Sequence, residues 1–445
     1  MTAEIVIMNK EAVALAADSA MSLIAGPGDR PQKIFTAANK IFELSSERPV
    51  SIMIYNNSSF MGIPWETIIR VYTRQARQSS FRTLGEYADH FIAFLSNAED
   101  FIPKKVQEQY FASRTATHFL FIRYLIQQRA TQALQEKGGI SEEEIAGLTR
   151  SIVEEIAERL ESAPFAPSMD EAYRDRLLEL YGEIVQRAEA EIFENLPIPD
   201  DVRQKLRSIA VTSFVKTSEE VSLFSQDFSG IVITGFGEGE LFPSMRSFNV
   251  EGMIEHRLKY TESERHEITF ENGAVIVPFA QREVVDIFLS GMDPRFEQAI
   301  VASLDRIFHE YPPTIIDSIE KLDDDERNDL KERFLQTSDD LIVRLRQQLQ
   351  GYRIYNYSPI MNVVTTLPKS EMASLAESLV NLTSLKRRVS LDAETVGGPV
   401  DVAVISKGDG FVWIKKKQYF RPALNIRPQA ACREGVNDGE REEGA

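Results

Sequence analysis

The sequence predicts an α+β protein in which short strands occupy both ends and the middle of the chain, with helices between them. Three observations lead to this class. Short apolar runs separated by polar breaks fill residues 3–56, a second β-rich stretch covers 229–277, and two more apolar runs lie at 400–406 and 411–416. The intervals between them carry the apolar spacing of amphipathic helices. We therefore expect two helical blocks inserted between three blocks of sheet.

The first β-rich block begins with a hairpin pattern. Two apolar runs, 3–8 and 12–17, are separated by three polar residues, and a short polar break between such runs is typical of a β-hairpin. A loop is predicted at 22–32, where residues 26–29 read Gly-Pro-Gly-Asp. Three more short strands are predicted at 33–35, 41–44 and 50–55.

Helices are predicted from Pro64 to about residue 218. Proline is tolerated in a first helical turn, and one long periodic segment follows at 104–136. Ser141, followed by three glutamates, is typical of a capped helix N-terminus. Two further helices are expected at 170–195 and 200–215. The block is either a helical scaffold without chemistry of its own, which we favour, or a lid or partner-docking surface.

Strands and helices alternate again in the rest of the chain. The glycine-rich residues 235–240 are interpreted as a turn, because Glu238 and Glu240 would repel a phosphate and no P-loop Lys-Ser/Thr follows. Helices are predicted at 282–292, 294–310, 314–350 and 369–387, and the acidic residues 323–326 are interpreted as a solvated helix start. The last two strands flank a hairpin turn at 407–410. After Phe420 the tail is predicted to be disordered.

Composition excludes several classes of function. The chain has 445 residues and a net charge of −18, which argues against general nucleic-acid binding and against docking on an anionic membrane. No apolar run is long enough for a transmembrane helix, and the start lacks a secretory pattern, so we expect a cytoplasmic protein. A single cysteine, Cys432, and five scattered histidines offer neither a disulfide nor a common zinc motif. We expect no metal and no cofactor.

One candidate for chemistry is the start of the chain. Removal of Met1 would make Thr2 the N-terminal residue, and its hydroxyl would then be a nucleophile beside a free α-amine that takes its proton. Such a site needs a lysine to polarise the hydroxyl and a carboxylate to hold that lysine. Asp18, after the second strand, and Lys33, at the start of a later one, provide this pair, although Asp18 could also cap a turn and Lys33 could be exposed.

Residues 2–19 resemble the opening of proteasome β subunits and of their bacterial ATP-dependent relatives. In that family an N-terminal Thr begins a strand, a polar turn follows, and an apolar strand ends in Ala-Ala-Asp-Ser, as residues 16–19 do here. The family lysine precedes an Ile/Leu-Phe pair, as Lys33 does. Residues 387–405 and 407–411 resemble the end of the last family helix and the closing hairpin, and 230–252 resembles a central hairpin. The resemblance covers roughly 150 residues, without counterparts for 80–215 and 294–358.

The resemblance implies a four-layer αββα sandwich of the N-terminal-nucleophile (Ntn) hydrolase type, enlarged by two helical insertions. We divide the chain into sandwich segments, helical insertions and a disordered acidic tail. The sandwich segments are 1–79, 219–293 and 359–420, the insertions are 80–218 and 294–358, and the tail is 421–445.

The function that the resemblance implies is that of a threonine peptidase acting on peptides or proteins. Thr2 would be the nucleophile, Lys33 would lower the barrier electrostatically, and Asp18 would orient Lys33. Asp392 and Thr395 would hold the amine. Met21, Ser22 and Asn56 are the expected substrate contacts, with backbone N–H groups near Asn56 binding the oxyanion.

The sequence departs from the family pattern at several supporting positions. Ala3 stands where the family has Ser or Thr, Asn56 stands near an expected glycine, and no serine is found at 280–282. The Asp-x-x-Ser element is Asp392-x-x-Thr395, with an extra Val396 before the glycines.

Two other functions stay open at this stage. One is a catalytically inactive, proteasome-like scaffold acting through its helical insertions, which a retained Met1 would favour, and the other is an amidase for a small amide. Proteasome relatives work as rings, so we expect self-association, and an ATPase or another regulator is a conceivable partner. The apolar run 119–126 motivates this expectation, because it packs either in the insertion core, which we favour, or against a neighbouring subunit.

Overall fold

The fold is that of a computed structural model, which describes residues 2–23, 33–35, 37–45, 48–77, 79–97, 102–194, 196–217, 227–390 and 396–418. The strands are β1 (Ala3–Asn9), β2 (Ala12–Ala17), β3 (Met21–Leu23), β4 (Lys33–Phe35), β5 (Ile41–Glu43), β6 (Val50–Asn56), β7 (Ser59–Phe60), β8 (Ile63–Pro64), β9 (Ser229–Gly235), β10 (Ser244–Ile254), β11 (Arg257–Glu267), β12 (Ala274–Ala280), β13 (Asp401–Ser406) and β14 (Gly410–Lys415). The helices are α1 (Trp65–Gln75), α2 (Leu84–Ser96), α3 (Lys104–Lys137), α4 (Glu142–Ser162), α5 (Glu171–Ile192), α6 (Asp200–Val215), α7 (Glu283–Ser290), α8 (Pro294–Asp317), α9 (Asp324–Val364) and α10 (Lys369–Val389). The predicted mixture of helices and strands is confirmed.

Two five-stranded sheets form the centre of the molecule. One has the order β12-β1-β2-β13-β14 and the other β11-β10-β9-β6-β5, and neighbouring strands are antiparallel in both. The first sheet brings together the start, middle and end of the chain. The strand β1 pairs with β2 on one side and with β12 on the other, and β2 also pairs with β13. Its central strands are buried along their whole length.

Alternation along β1 separates two apolar cores. Val6 and Met8 pack against residues of the other sheet such as Val232, so one core lies between the sheets. Ile5 and Ile7 point to the opposite face, where they pack with side chains of α7, α9 and α10. A third core joins the outer face of the second sheet to α1 and α2. Glu4 shares the inter-sheet face of β1 with Val6 and Met8.

The helices α3 to α6 have an apolar core of their own. Phe119, Ile122 and Ile126 are fully buried in it, whereas Leu120 and Tyr124 are about half exposed. The predicted apolar run 119–126 therefore packs mainly in the insertion core. Ile254 of β10 joins the same core and connects it to the sheet. The helix α2, which the sequence assigned to the insertion at 80–218, packs instead on the second sheet.

The helices α8 and α9 pack against each other and are longer than expected. The prediction that one helix ends at 310 and the next begins at 314 is wrong, because α8 continues through Pro312 and Pro313 to Asp317. Each proline lacks the N–H that would bond the carbonyl four residues earlier. For Pro312 that carbonyl belongs to Phe308, and it accepts instead from Ser338 Oγ of α9 at 2.7 Å. The acidic residues 323–326 do start α9: Asp323 and Glu326 form reciprocal capping bonds.

Within the described ranges no helix combines the length and apolar character needed to cross a membrane. The predicted disordered tail and Cys432 lie outside the described residues.

Candidate active site

The candidate active site is built around Thr2, at the edge of the core between the two sheets. Backbone pairing fixes this residue: Gln281 N donates to Thr2 O at 3.2 Å, and the next residue, Ala3, pairs with Ala280 of β12. Thr2 is 3% exposed. Its hydroxyl Oγ1 donates to Glu4 Oε2 at 3.0 Å. A buried hydroxyl therefore lies against a buried carboxylate, two residues apart along the strand.

A lysine joins Glu4 to a second carboxylate. Lys40 Nζ lies 3.0 Å from Glu4 Oε1 and 2.5 Å from Asp18 Oδ1. The side chain of Lys40 is 8% exposed, and those of both carboxylates are fully buried. The backbone of Lys40 is tied to the second sheet, since Ile54 N donates to Lys40 O at 2.8 Å. The lysine thus connects the two sheets where the inter-sheet core ends.

Asp18 is held by backbone donors from three parts of the chain. Its Oδ1 accepts from Ala3 N at 3.1 Å, and its Oδ2 accepts from Ala20 N at 3.3 Å and from Gly397 N at 2.8 Å. These bonds satisfy a carboxylate that would otherwise be buried at a large free-energy cost. They also leave Asp18 little freedom to move, so it is a rigid anchor for Lys40.

The environment of Glu4 differs from that of Asp18. Burial raises the pKa of the Glu4 carboxyl to about 7; Lys40 opposes the rise, Asp18 adds to it, and the hydrogen bonds from Thr2 and Lys40 oppose it. A carboxyl with a pKa near 7 can exchange a proton under physiological conditions, which is the property of a general acid or base. Such perturbed groups are common at functional sites.

A cavity of about 520 Å³ opens beside Thr2. This volume lies within the range of small-molecule and side-chain binding pockets. Its walls are largely apolar, with polar groups from Asn39, Asn56 and Glu66 among them. The apolar side chains include Met21, Phe35, Ile54 and Trp65. The nucleophile candidate is therefore accessible through a pocket that could accept an apolar side chain.

Two residues near Thr2 adopt the left-handed backbone conformation without being glycine. Asn56, at the end of β6, has φ 68°, and Ala280, opposite Ala3, has φ 58°. Asn56 Nδ2 donates to Phe228 O at 2.8 Å, which helps to hold its conformation. Alanine has no such side-chain bond, so Ala280 carries strain of about 1–2 kcal/mol. Strained backbone of this kind is frequent at functional sites.

The sequence-predicted site residues fall into two groups. The structure brings Thr2 and Asp18 into one cluster with Lys40, and Met21 and Asn56 line the cavity beside Thr2. For the other group the described residues give only backbone positions or nothing. Along the backbone, Lys33 pairs with Leu23 and Ser22 pairs with Ile34. The side chains of Lys33 and Ser22, and the whole of Asp392 and Thr395, lie outside the described residues.

Among the described side chains, the lysine beside Asp18 is Lys40, which the sequence patterns do not select. A signal for it exists, because the tripeptide Lys-Ile-Phe occurs twice, at 33–35 and at 40–42. The second copy is continuous with β5 and therefore with the second sheet. Glu4 is not selected either, and its signal is a charged residue within an otherwise apolar strand.

No group of three His, Cys, Asp or Glu side chains with the geometry of a metal site occurs within the described residues. The two carboxylates of the cluster are instead bridged by Lys40. The chemistry that this arrangement supports is proton transfer at the Thr2 hydroxyl, next to a pocket that can hold an acyl group.

Comparison with known proteins identifies no family. No protein-family model matches the chain, and no curated protein matches it. Among solved structures, the Gly-1 mutant of Anbu from Hyphomicrobium sp. strain MC1 is similar at 11% identity over the whole of both chains, with a TM-score of 0.25. A score this low carries no argument about function, so the functional case rests on the residues of this chain.

Proposed function

We propose that this protein is a threonine-type peptidase of the proteasome-like Ntn-hydrolase superfamily, with Thr2 as its nucleophile after removal of Met1. The observation that carries the proposal is the position of Thr2. Its hydroxyl is hydrogen-bonded to a buried carboxylate and lies beside a cavity of about 520 Å³. The polar cluster next to it contains a lysine anchored by an aspartate, the arrangement that the chemistry of a threonine nucleophile requires.

In this proposal Thr2 Oγ1 attacks the substrate carbonyl and forms an ester, and water later hydrolyses the ester. Lys40 takes the part that the sequence assigned to Lys33: its charge favours the anionic forms of the neighbouring groups, and Asp18 positions it. Backbone N–H groups near Asn56 are the proposed oxyanion donors. Met21 and Ser22 are proposed substrate contacts, and Asp392 and Thr395 are proposed to hold the α-amine.

The proposed architecture is a four-layer αββα sandwich with two helical insertions. The apolar cores support it: one lies between the sheets, and one lies on each outer face between a sheet and helices. The separate core of α3 to α6 supports a first insertion, and the α8–α9 pair supports a second.

We also propose that the protein self-associates. Large apolar side chains are exposed along α8 and α9, among them Phe296, Tyr311, Tyr352 and Tyr355, each more than 60% exposed. Exposed apolar surface of this kind is typical of an association surface. Light scattering should give a mass well above the 50.4 kDa of one chain, and a monomer at micromolar concentration would contradict this proposal.

The proposed function is tested by covalent labelling and turnover. A peptide β-lactone esterifies an activated hydroxyl, so intact-mass analysis should find one adduct per chain and peptide mapping should assign it to Thr2. The adduct should be absent from Thr2→Ala and present in Thr2→Ser, which keeps the hydroxyl. Wild type and Thr2→Ser should cleave a peptide pool, and Thr2→Ala should not.

A wild-type protein that is neither labelled nor able to cleave peptides or small amides would contradict the proposal and favour the inactive scaffold. Labelling together with cleavage of small amides but not of peptides would instead indicate an amidase.

A further inference from the structure

Glu4 is a buried acid that the mechanism implied by the family resemblance does not use. That mechanism gives the hydroxyl proton of Thr2 to the α-amine of the same residue. In the 445-residue chain the Thr2 nitrogen is bonded to Met1 as an amide. Even so, the hydroxyl has a proton acceptor, because Thr2 Oγ1 donates to Glu4 Oε2 at 3.0 Å.

We infer that Glu4 is the general base that accepts the Thr2 hydroxyl proton and returns it to the leaving amine. The inference rests on the proposed function, since it needs Thr2 as the nucleophile, but it removes the need for a free α-amine in the acylation step. The contact lies within the distance that general-base catalysis requires. Position 4 is also fixed by strand pairing, with Ala17 on one side and Phe279 on the other.

The proton balance closes with Glu4 alone. As Thr2 Oγ1 bonds to the carbonyl carbon, its O–H bond breaks, the proton passes to Glu4 Oε2, and the carbonyl electron pair moves to oxygen. When the tetrahedral intermediate collapses, the C–N bond breaks and Glu4 gives its proton to the amine. Water then attacks the ester and gives a proton to Glu4, which returns it to Thr2 Oγ1 as the acid product leaves.

The groups around Glu4 fit this task. Lys40 faces it from the segment before β5, and Asp18 faces it from the end of β2. From β6, Tyr55 interacts with it electrostatically, and β12 contributes the apolar Phe279. One cation shared between two carboxylates leaves the three-residue cluster with an excess negative charge when both acids are ionised. This excess favours proton uptake by Glu4, because the negative charge of Asp18 raises the pKa of the Glu4 carboxyl.

The test measures the rate of Thr2 acylation by a peptide β-lactone between pH 5 and 9, in four proteins. Two begin at Thr2, released from a cleavable fusion, and two keep Met1; each form carries either Glu4 or Glu4→Gln. With Glu4 present, both forms should be acylated, and the rate should rise with pH around a midpoint near 7. With Glu4→Gln the Met1-bearing form should lose at least about 100-fold in rate.

Among the proteins that begin at Thr2, Glu4→Gln should be acylated more slowly than the protein with Glu4. The pH midpoint of its acylation rate should move toward 8, where an α-amine titrates. A purely structural role of Glu4 would lower the rate without moving the midpoint. Glu11→Gln, which removes an exposed carboxylate at the other end of the β1–β2 hairpin, is the matched control and should leave rate and midpoint unchanged.

Three outcomes would overturn the inference. One is that Glu4→Gln is acylated with the same rate and the same pH midpoint as the protein with Glu4. Another is that the protein with Glu4 is acylated only when Met1 is absent and Thr2 is the first residue. In both cases Thr2 would still be the nucleophile and the proposed function would survive. The third is no acylation of any parental form, which would remove the proposed function as well.

Discussion

Two clusters of buried charged residues in this molecule look alike in composition but differ in what surrounds them. One is the site cluster, formed by Thr2, Glu4, Asp18 and Lys40. The other, the junction cluster, lies where the insertion meets the second sheet and consists of Arg114, His118, Ser213, Glu251 and Lys259. In it Glu251 Oε2 lies 3.2 Å from Arg114 Nη2 and 2.9 Å from Lys259 Nζ, and Ser213 Oγ lies 2.9 Å from His118 Nδ1.

The junction cluster contains a Ser–His pair, which in isolation suggests a nucleophile and a base. Its surroundings argue otherwise. Ser213 and His118 are both buried. The neighbouring space at Lys259, between Tyr110 and Phe214, is lined by neither of them and is too small for a water molecule. Burial, with Arg114 and Lys259 nearby, lowers the pKa of His118 well below its ordinary value, so it stays neutral. A buried titratable group therefore indicates a site only where a cavity and an accessible nucleophile accompany it.

The largest effect is expected for Lys40→Ala. The change leaves Glu4 and Asp18 buried without their cation, which should cost about 3–5 kcal/mol in the free energy of unfolding. Loss of the cation should also raise the pH midpoint of Thr2 acylation, because Glu4 would hold its proton more tightly. Urea unfolding and the acylation profile measure the two effects.

Lys33→Ala is the matched control for Lys40→Ala, since both lysines begin a Lys-Ile-Phe tripeptide. It should leave stability and acylation near wild-type values. The reverse result, with Lys33→Ala inactive and Lys40→Ala active, would return the catalytic role to Lys33.

Lys33 and Lys40 show which parts of the site can be predicted from the sequence and which cannot. The β1–β2 hairpin follows from two apolar runs and the polar break between them, and Thr2 and Asp18 follow from their places on it. Choosing between Lys33 and Lys40 requires the path of the chain between β3 and β5, which local patterns do not specify. Glu4 lies on a predicted strand, but its importance depends on contacts with Lys40, which is distant in sequence.

The second prediction concerns stability and pH. The folded-state pKa of Glu4, about 7, exceeds its ordinary value of 4.5, so between these values the unfolded chain releases the proton and the folded chain retains it. This group's contribution to stability is therefore lost as the pH rises from about 4.5 to about 7, by roughly 3 kcal/mol. Glu4→Gln cannot titrate, so its stability relative to wild type should increase over that interval.

Urea unfolding of both proteins at pH 4.5, 6 and 8 measures this difference. The same comparison with Glu11→Gln should show no such trend, because Glu11 is exposed. If the difference in unfolding free energy between Glu4→Gln and wild type does not change with pH, burial does not raise the pKa of Glu4. The site cluster would then lack the titrating acid that distinguishes it from the junction cluster.

The third prediction tests the junction cluster. Arg114→Ala should lower the free energy of unfolding by about 2 kcal/mol, less than Lys40→Ala, because Lys259 still neutralises Glu251. The rate of Thr2 acylation per folded molecule should be unchanged, since none of the described hydrogen bonds or ion pairs joins the junction cluster to the site cluster. A loss of acylation in a folded Arg114→Ala protein would show that the two clusters are coupled.

The smallest effect is expected at Ala280, where the backbone beside Thr2 is strained. Glycine relieves the cost of φ 58°, about 1–2 kcal/mol, but adds about 0.5–1 kcal/mol of chain entropy, so Ala280→Gly should stabilise the fold by about 0.5 kcal/mol. Ala274→Gly, at the other end of β12, is the control and should destabilise, because positive φ is not found there among the described residues. Thermal unfolding measures whether each variant is more or less stable than the parent protein.

If the strain at Ala280 holds Thr2 in place through the bond from Gln281 N to Thr2 O, the more stable Ala280→Gly protein should also be acylated several-fold more slowly. Equal acylation in the two proteins would assign the strain to the strand end alone, without a role at the site.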